Sequence, residues 1–171
     1  MAKDASNVQM GVCDVSVNGE DIGHTFGGVE VIYEPEYQDV TVDAYGNTPT
    51  DKKLIGEVFK VKIPFAEYTI SNLNKAIAES NLAGSGDARI TIGSKSGKSL
   101  LAKAASIVIH PHDAGSSREY DVVLHKAAPI SEITIQHKYD EQKVVVVEFQ
   151  ALIDESKEDG NYLGMIGDSA A

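Results

Sequence analysis

The sequence is poor in exactly one kind of reactive group, the thiol: Cys13 is its single cysteine. An intramolecular disulfide, a cysteine-rich zinc site and a Cys-x-x-Cys redox pair are all excluded, which fits a reducing cytosol or a particle assembled inside one. Tryptophan is absent, removing the strongest base-stacking platform, although Tyr and Phe remain. Cations are scarce: 15 Lys and Arg stand against 26 Asp and Glu, a formal charge of −11. That is the wrong sign for neutralising phosphates, and it excludes a protein that grips DNA more strongly than one that lets DNA slide past. No run approaches the ~18 consecutive apolar residues of a membrane helix. The opening residues Met1 to Ser6 are polar and lack an apolar signal core, so the expectation is a soluble protein without a standard secretion signal.

The catalytic motifs are missing too. Residues 93–99, Gly-Ser-Lys-Ser-Gly-Lys-Ser, have three residues between their glycines where a phosphate-binding loop needs four. They also stand between two expected strands, where a hairpin turn is the plainer reading. His110 and His112 have the period-2 spacing of a shared strand face, but Pro111 separates them, and neither a Cys ligand nor a zinc-protease spacing accompanies them. No Gly-x-Ser-x-Gly elbow is present, and Cys13 reads as a small buried hydrophobe. The sequence therefore points to a non-enzyme with no cofactor and no metal.

What is present is a succession of short strands. At 171 residues the chain suits one domain, able to hide roughly 70% of its unfolded surface. We divide it into a flexible N-terminal arm (residues 1–11), a main domain (12–153) and an acidic C-terminal extension (154–171). Val12, Val15 and Val17 lead into the turn signal Asn18-Gly19, and extended structure resumes at Val29. Residues 35–57 change character, with acids, two lysines, two prolines and the turn cluster Tyr45-Gly46-Asn47-Thr48-Pro49. This is a long hairpin loop, and Tyr37, Val40, Val42 and Tyr45 within it want a surface to lie on. Phe59, Val61 and Ile63 then alternate with Lys60 and Lys62 in a strand that Pro64 is expected to stop. One helix follows, capped by Thr69, with Ile70, Leu73, Ala76 and Ile77 on one stripe before Gly84. Strands are expected over 89–92, 100–110, 119–126, 132–137 and 144–153, where Val144 to Val147 are apolar on both faces. The fold class is mainly β: a β-sandwich or barrel with one flanking α-helix and a long β-hairpin loop.

A family resemblance rests on Asp21-Ile22-Gly23-His24-Thr25-Phe26-Gly27-Gly28-Val29-Glu30-Val31, Tyr33-Glu34-Pro35-Glu36-Tyr37 and Asp39-Val40-Thr41-Val42-Asp43. It continues through Tyr45 to Pro49, Leu54-Ile55-Gly56-Glu57, Ala66-Glu67-Tyr68-Thr69, and the later Ile109-His110-Pro111 and Lys126-Ala127-Ala128-Pro129. These stretches resemble the tail tube, or major tail, proteins of long-tailed bacteriophages. The resemblance implies a structural virion protein, assembled in the host cytoplasm and residing in the virion tail. Six copies would form a ring whose strands join into one inner barrel, and stacked rings would conduct DNA during genome ejection without binding it specifically. A tape-measure protein and a tail terminator are the implied partners, and no membrane is. The long loop would reach the neighbouring ring through Tyr37, Asp39, Val40, Val42, Asp43, Tyr45, Asn47, Asp51 and Lys52. Glu30 and Glu34, opposite Val29, Val31 and Tyr33, would give the lumen a negative lining. The alternatives are a secreted tube protein of a contractile injection system and a monomeric β-barrel binding module.

Overall fold

A computed structural model describes residues 11–168. The expected flexible arm therefore lies outside the described residues except for Gly11, and so do the last three residues of the expected acidic extension. The strands are β1 (Cys13–Val17), β2 (Glu20–Asp21), β3 (Glu30–Thr41), β4 (Pro49–Phe65), β5 (Asn81–Ala83), β6 (Arg89–Thr91), β7 (Ala105–Pro111), β8 (Val122–Pro129), β9 (Val145–Ala151) and β10 (Gly164–Ile166). The α-helix α1 (Ile70–Ala76) follows β4, and short 3-10 turns lie at Asp43–Tyr45, Leu100–Lys103 and His112–Ala114. Among the described residues the protein is mainly β, with one α-helix and one large antiparallel sheet.

That sheet runs in the order β2-β1-β7-β8-β9-β4-β3, with β10 beside β8, while β5 and β6 form a separate hairpin. Asn18 and Gly19, both at positive φ, make the tight turn that starts it. The sheet is strongly curled. From β2 to β4 is five strand spacings along the sheet, roughly 24 Å. Yet Thr25, four residues after the end of β2, already bridges Phe65 of β4, and four residues span at most about 14 Å. The curl wraps a single core in which Val61, Ile63, Ile107, Leu124 and Val147 are fully buried. Burial of each such side chain stabilises the fold by about 1.5–3 kcal/mol.

The helix lies against this core through Leu73 and Ala76. Thr69 caps it by accepting the Asn72 N–H at 3.2 Å. The buried Asn72 side chain donates to the carbonyls of Ile22 and Glu67, tying helix, β2 exit and β4 exit together.

Several expectations need correction. Pro64 does not stop β4; it sits inside the strand, opposite Val146 of β9. In an antiparallel ladder a residue's N–H and C=O point the same way, and the Pro64 carbonyl faces Phe26, on the side where β3 has not yet begun. The missing N–H therefore takes no bond from the β4–β9 ladder. The helix ends at Ala76 rather than near Gly84, because Ser80 bonds back to Asn74 and the chain enters β5. Residues 132–137 form no strand. Their last backbone tie to β9 is the Ile130 N–H to the Glu148 carbonyl, after which the Ser131 hydroxyl takes the Glu148 N–H and the chain leaves the sheet. The strand expected from residue 100 begins at Ala105, after a 3-10 turn.

Residues 154–168 were expected as a surface extension, but they return to the sheet as β10. Their anchor is Asp154, which is buried and takes hydrogen bonds from Lys126 Nζ at 2.8 Å and from Ser156. The lysine first, then the serine, hold this carboxyl well below the usual carboxylate range.

Candidate functional site

The segment expected as a long loop is a regular two-stranded arm. β3 has 12 residues and β4 has 17, and they pair from Glu30↔Lys62 to Thr41↔Pro49, leaving only residues 42–48 unpaired. Register shifts at Glu36/Tyr37 and Val40/Thr41 break the period-2 pattern, which is why the sequence reads as irregular there. The tip closes with the Tyr45 N–H donating to the Val42 carbonyl and Gly46 at positive φ.

Two strands become an arm where the third one stops. β9 pairs with β4 only over Lys60 to Phe65. Toward the tip β4 keeps β3 alone, for about 30 Å of extended chain between Val58 and Pro49. Every residue from 36 to 55 is exposed except the half-buried Val40. Tyr37 is 56% exposed, Ile55 58% and Tyr45 67%, with Val42 and Leu54 similarly open. Cross-links inside the arm are polar: Asp39 with Lys52 at 2.8 Å, the Thr50 hydroxyl to the Val40 carbonyl, and the Tyr33 hydroxyl to Glu57. The Glu57 hydrogen bond holds the Tyr33 hydroxyl above its ordinary pKa. A two-stranded ribbon without a packed face is marginal in water, and among the described residues nothing covers the apolar side chains of this one.

The structure thus brings Tyr37, Asp39, Val40, Val42, Asp43, Tyr45, Asn47, Asp51 and Lys52 together on one arm. Leu54 and Ile55 belong with them and were missed as site residues. Their signal was an adjacent apolar pair, which in a strand puts one side chain on each face and so cannot be buried by a one-sided core.

Glu30 and Glu34 share the face of the sheet that points away from the core, but they do not stand alone there. Lys62 Nζ lies 3.6 Å from Glu30 and Lys60 Nζ 3.1 Å from Glu34, with Glu148 a further 3.9 Å neighbour of Lys60. The face is a ladder of alternating sign with one carboxylate in excess, not a purely negative strip. Beside it, the outer edge of β3 is an open end of the sheet, and β2 is the other.

The histidines do not converge. The His110 ring is held between Asp121, 2.6 Å from Nδ1, and the Gly115 carbonyl, 2.9 Å from Nε2. Both partners offer acceptor atoms, so the arrangement favours the protonated ring; the His110 pKa is raised, by Asp121 first and Gly115 second. His112 turns to Asp14 instead, and His125 to Asn161. Residues 93–99 form a turn stapled by Lys98, which reaches Glu79 at 3.0 Å and Ser94 at 3.2 Å. Cys13 is half-buried in β1, beside the core.

No protein-family model matches this chain, and no curated protein matches it.

Proposed function

We propose that this protein is a structural tube subunit: six copies form a ring, rings stack, and the tube conducts DNA during genome ejection from a phage tail. The observation that carries the reading is the β3–β4 arm, a paired and exposed ribbon with Tyr37, Tyr45, Leu54 and Ile55 open to solvent. Such a ribbon contributes little to one subunit and gains its packing from another. The open edges at β3 and β2 support lateral assembly, since unpaired edges of a curled sheet are satisfied when neighbours close them into a ring.

The formal charge of −11 supports passage of DNA without adhesion. In this reading the repulsion comes from the overall acid excess, because Glu30 and Glu34 are largely balanced by Lys60 and Lys62. A tape-measure protein inside the tube and a terminator at its end are partners consistent with such an assembly. Negative-stain electron microscopy of the purified protein tests the proposal. Rings or tubes of regular diameter are expected; a monodisperse monomer at every concentration and salt overturns it.

A further inference from the structure

The two ends of β4 carry complementary features. At the Pro49 end is the arm tip, with Val42 and Tyr45 exposed. At the Phe65 end is a groove lined by Phe26, Gly27, Pro64, Thr134, Val144 and Val146, with Glu132, Lys138 and Glu141 at its polar side. Phe26 is 60% exposed and Val146 41%. Neither is loose. The Phe26 N–H donates to the Pro64 carbonyl beside the Thr25↔Phe65 bridge, and Val146 is the cross-strand partner of Pro64. Gly27 and Gly28, at φ of 96° and 91°, then turn the chain away without adding a side chain to the rim.

We propose that this groove receives the arm tip of a second copy of the chain, an inference that rests on the tube reading. Tip and groove stand at opposite ends of one 17-residue strand, roughly 50 Å apart along it, so a subunit's tip does not reach its own groove. A contact between unlike surfaces at opposite ends repeats head to tail and does not close on two copies, which is the geometry of a stack.

The charges also fit. Among the described residues, Asp43 and Asp51 at the tip have no cation partner, and neither does Lys53 a carboxylate. At the groove, Lys138 is taken by Glu141 at 2.7 Å. That leaves Glu132 without a cation among the described residues. Lys53 against Glu132 gives the contact a register, while Val42 and Tyr45 cover Phe26 and Val146.

The test uses the full chain. Phe26→Cys and Tyr45→Cys subunits, each made with Cys13→Ser, are mixed, assembled and oxidised; a disulfide-linked pair is expected in the mixture and in neither variant alone. Separately, the Lys53→Glu variant should elongate tubes about tenfold more slowly than wild type, and Glu132→Lys in the same chain should restore most of that rate. Phe26→Asp/Val146→Asp should melt as wild type does and build no tubes. If wild type assembles but the mixture gives no cross-link, or Phe26→Asp/Val146→Asp elongates normally, the groove is not the acceptor and the tube reading stands. A cross-link of Tyr45→Cys with itself means that tip meets tip and overturns the inference. If wild type forms no ring or tube at all, both readings fall.

Discussion

The body of the sheet and the arm share two strands, β3 and β4, yet they are organised by different physics. Within β4, Val61 and Ile63 are completely buried between β3 and β9, whereas eight to twelve residues earlier every side chain is in water. The body is held by apolar burial around one core. The arm is held by backbone pairing and polar cross-links, with its apolar side chains left over. A single strand is therefore packed at one end and open at the other, and the boundary is set by where β9 stops.

Replacing residues 37–53 by a short Gly-Ser linker is the strongest way to break this comparison. Assembly should be abolished while the subunit keeps its β-rich spectrum and a cooperative melt, read by circular dichroism alongside electron microscopy. A chain that no longer folds would show that the arm belongs to the core.

Single truncations sharpen the contrast. Leu124→Ala in the body should cost about 2–5 kcal/mol in denaturant unfolding, the range for removing a buried leucine. Ile55→Ala on the arm should leave subunit stability within about 0.5 kcal/mol, as exposed substitutions do, and act on assembly instead. Thr69→Ala removes the helix cap from the body and should lower stability by about 1 kcal/mol without touching tube formation.

A smaller effect separates the regions by pH. His110 gains Asp121 and the Gly115 carbonyl on folding, so its folded pKa lies above its ordinary value of 6.5. The stability it contributes is fully present below that ordinary value and is lost as pH rises through the raised folded one. Other charged groups near it are Asp14, its cross-strand neighbour, and His112, which faces Asp14. Unfolding measured across this window should show the loss in wild type and a flatter profile in His110→Gln. The arm, without a histidine, should contribute nothing to it.

How much of this was legible depended on whether one residue type dominated a position. The alternation of Phe59, Val61 and Ile63 with Lys60 and Lys62 located a one-sided strand, and Asn18-Gly19 located its turn, because each signal is local. The arm is legible as a segment but reads as a loop, since two register shifts hide its period and both its faces are wet. Residues 132–137 showed the reverse failure: Ile133 and Ile135 alternate correctly, but the chain leaves β9 once the Ser131 hydroxyl has taken the Glu148 N–H. β10 was unreadable because Gly164, Met165 and Ile166 are too few to show a period, and their anchor, Lys126 with Asp154, joins distant parts of the chain. At the candidate site, the residue types of the arm were visible, whereas the pairing of Glu30 and Glu34 with Lys62 and Lys60 required the register of β3 against β4.

Amide hydrogen exchange of the same protein before and after assembly tests the central claim most directly, because it reads arm and body in one experiment. In the free subunit, amides of residues 37–53 should exchange quickly while those of β4 near Val61 and of β8 near Leu124 stay protected; in tubes the arm should become protected and the body should change little. Arm amides as protected in the free subunit as in the tube, or a gain of protection confined to the body, would contradict an arm that is made for a neighbour.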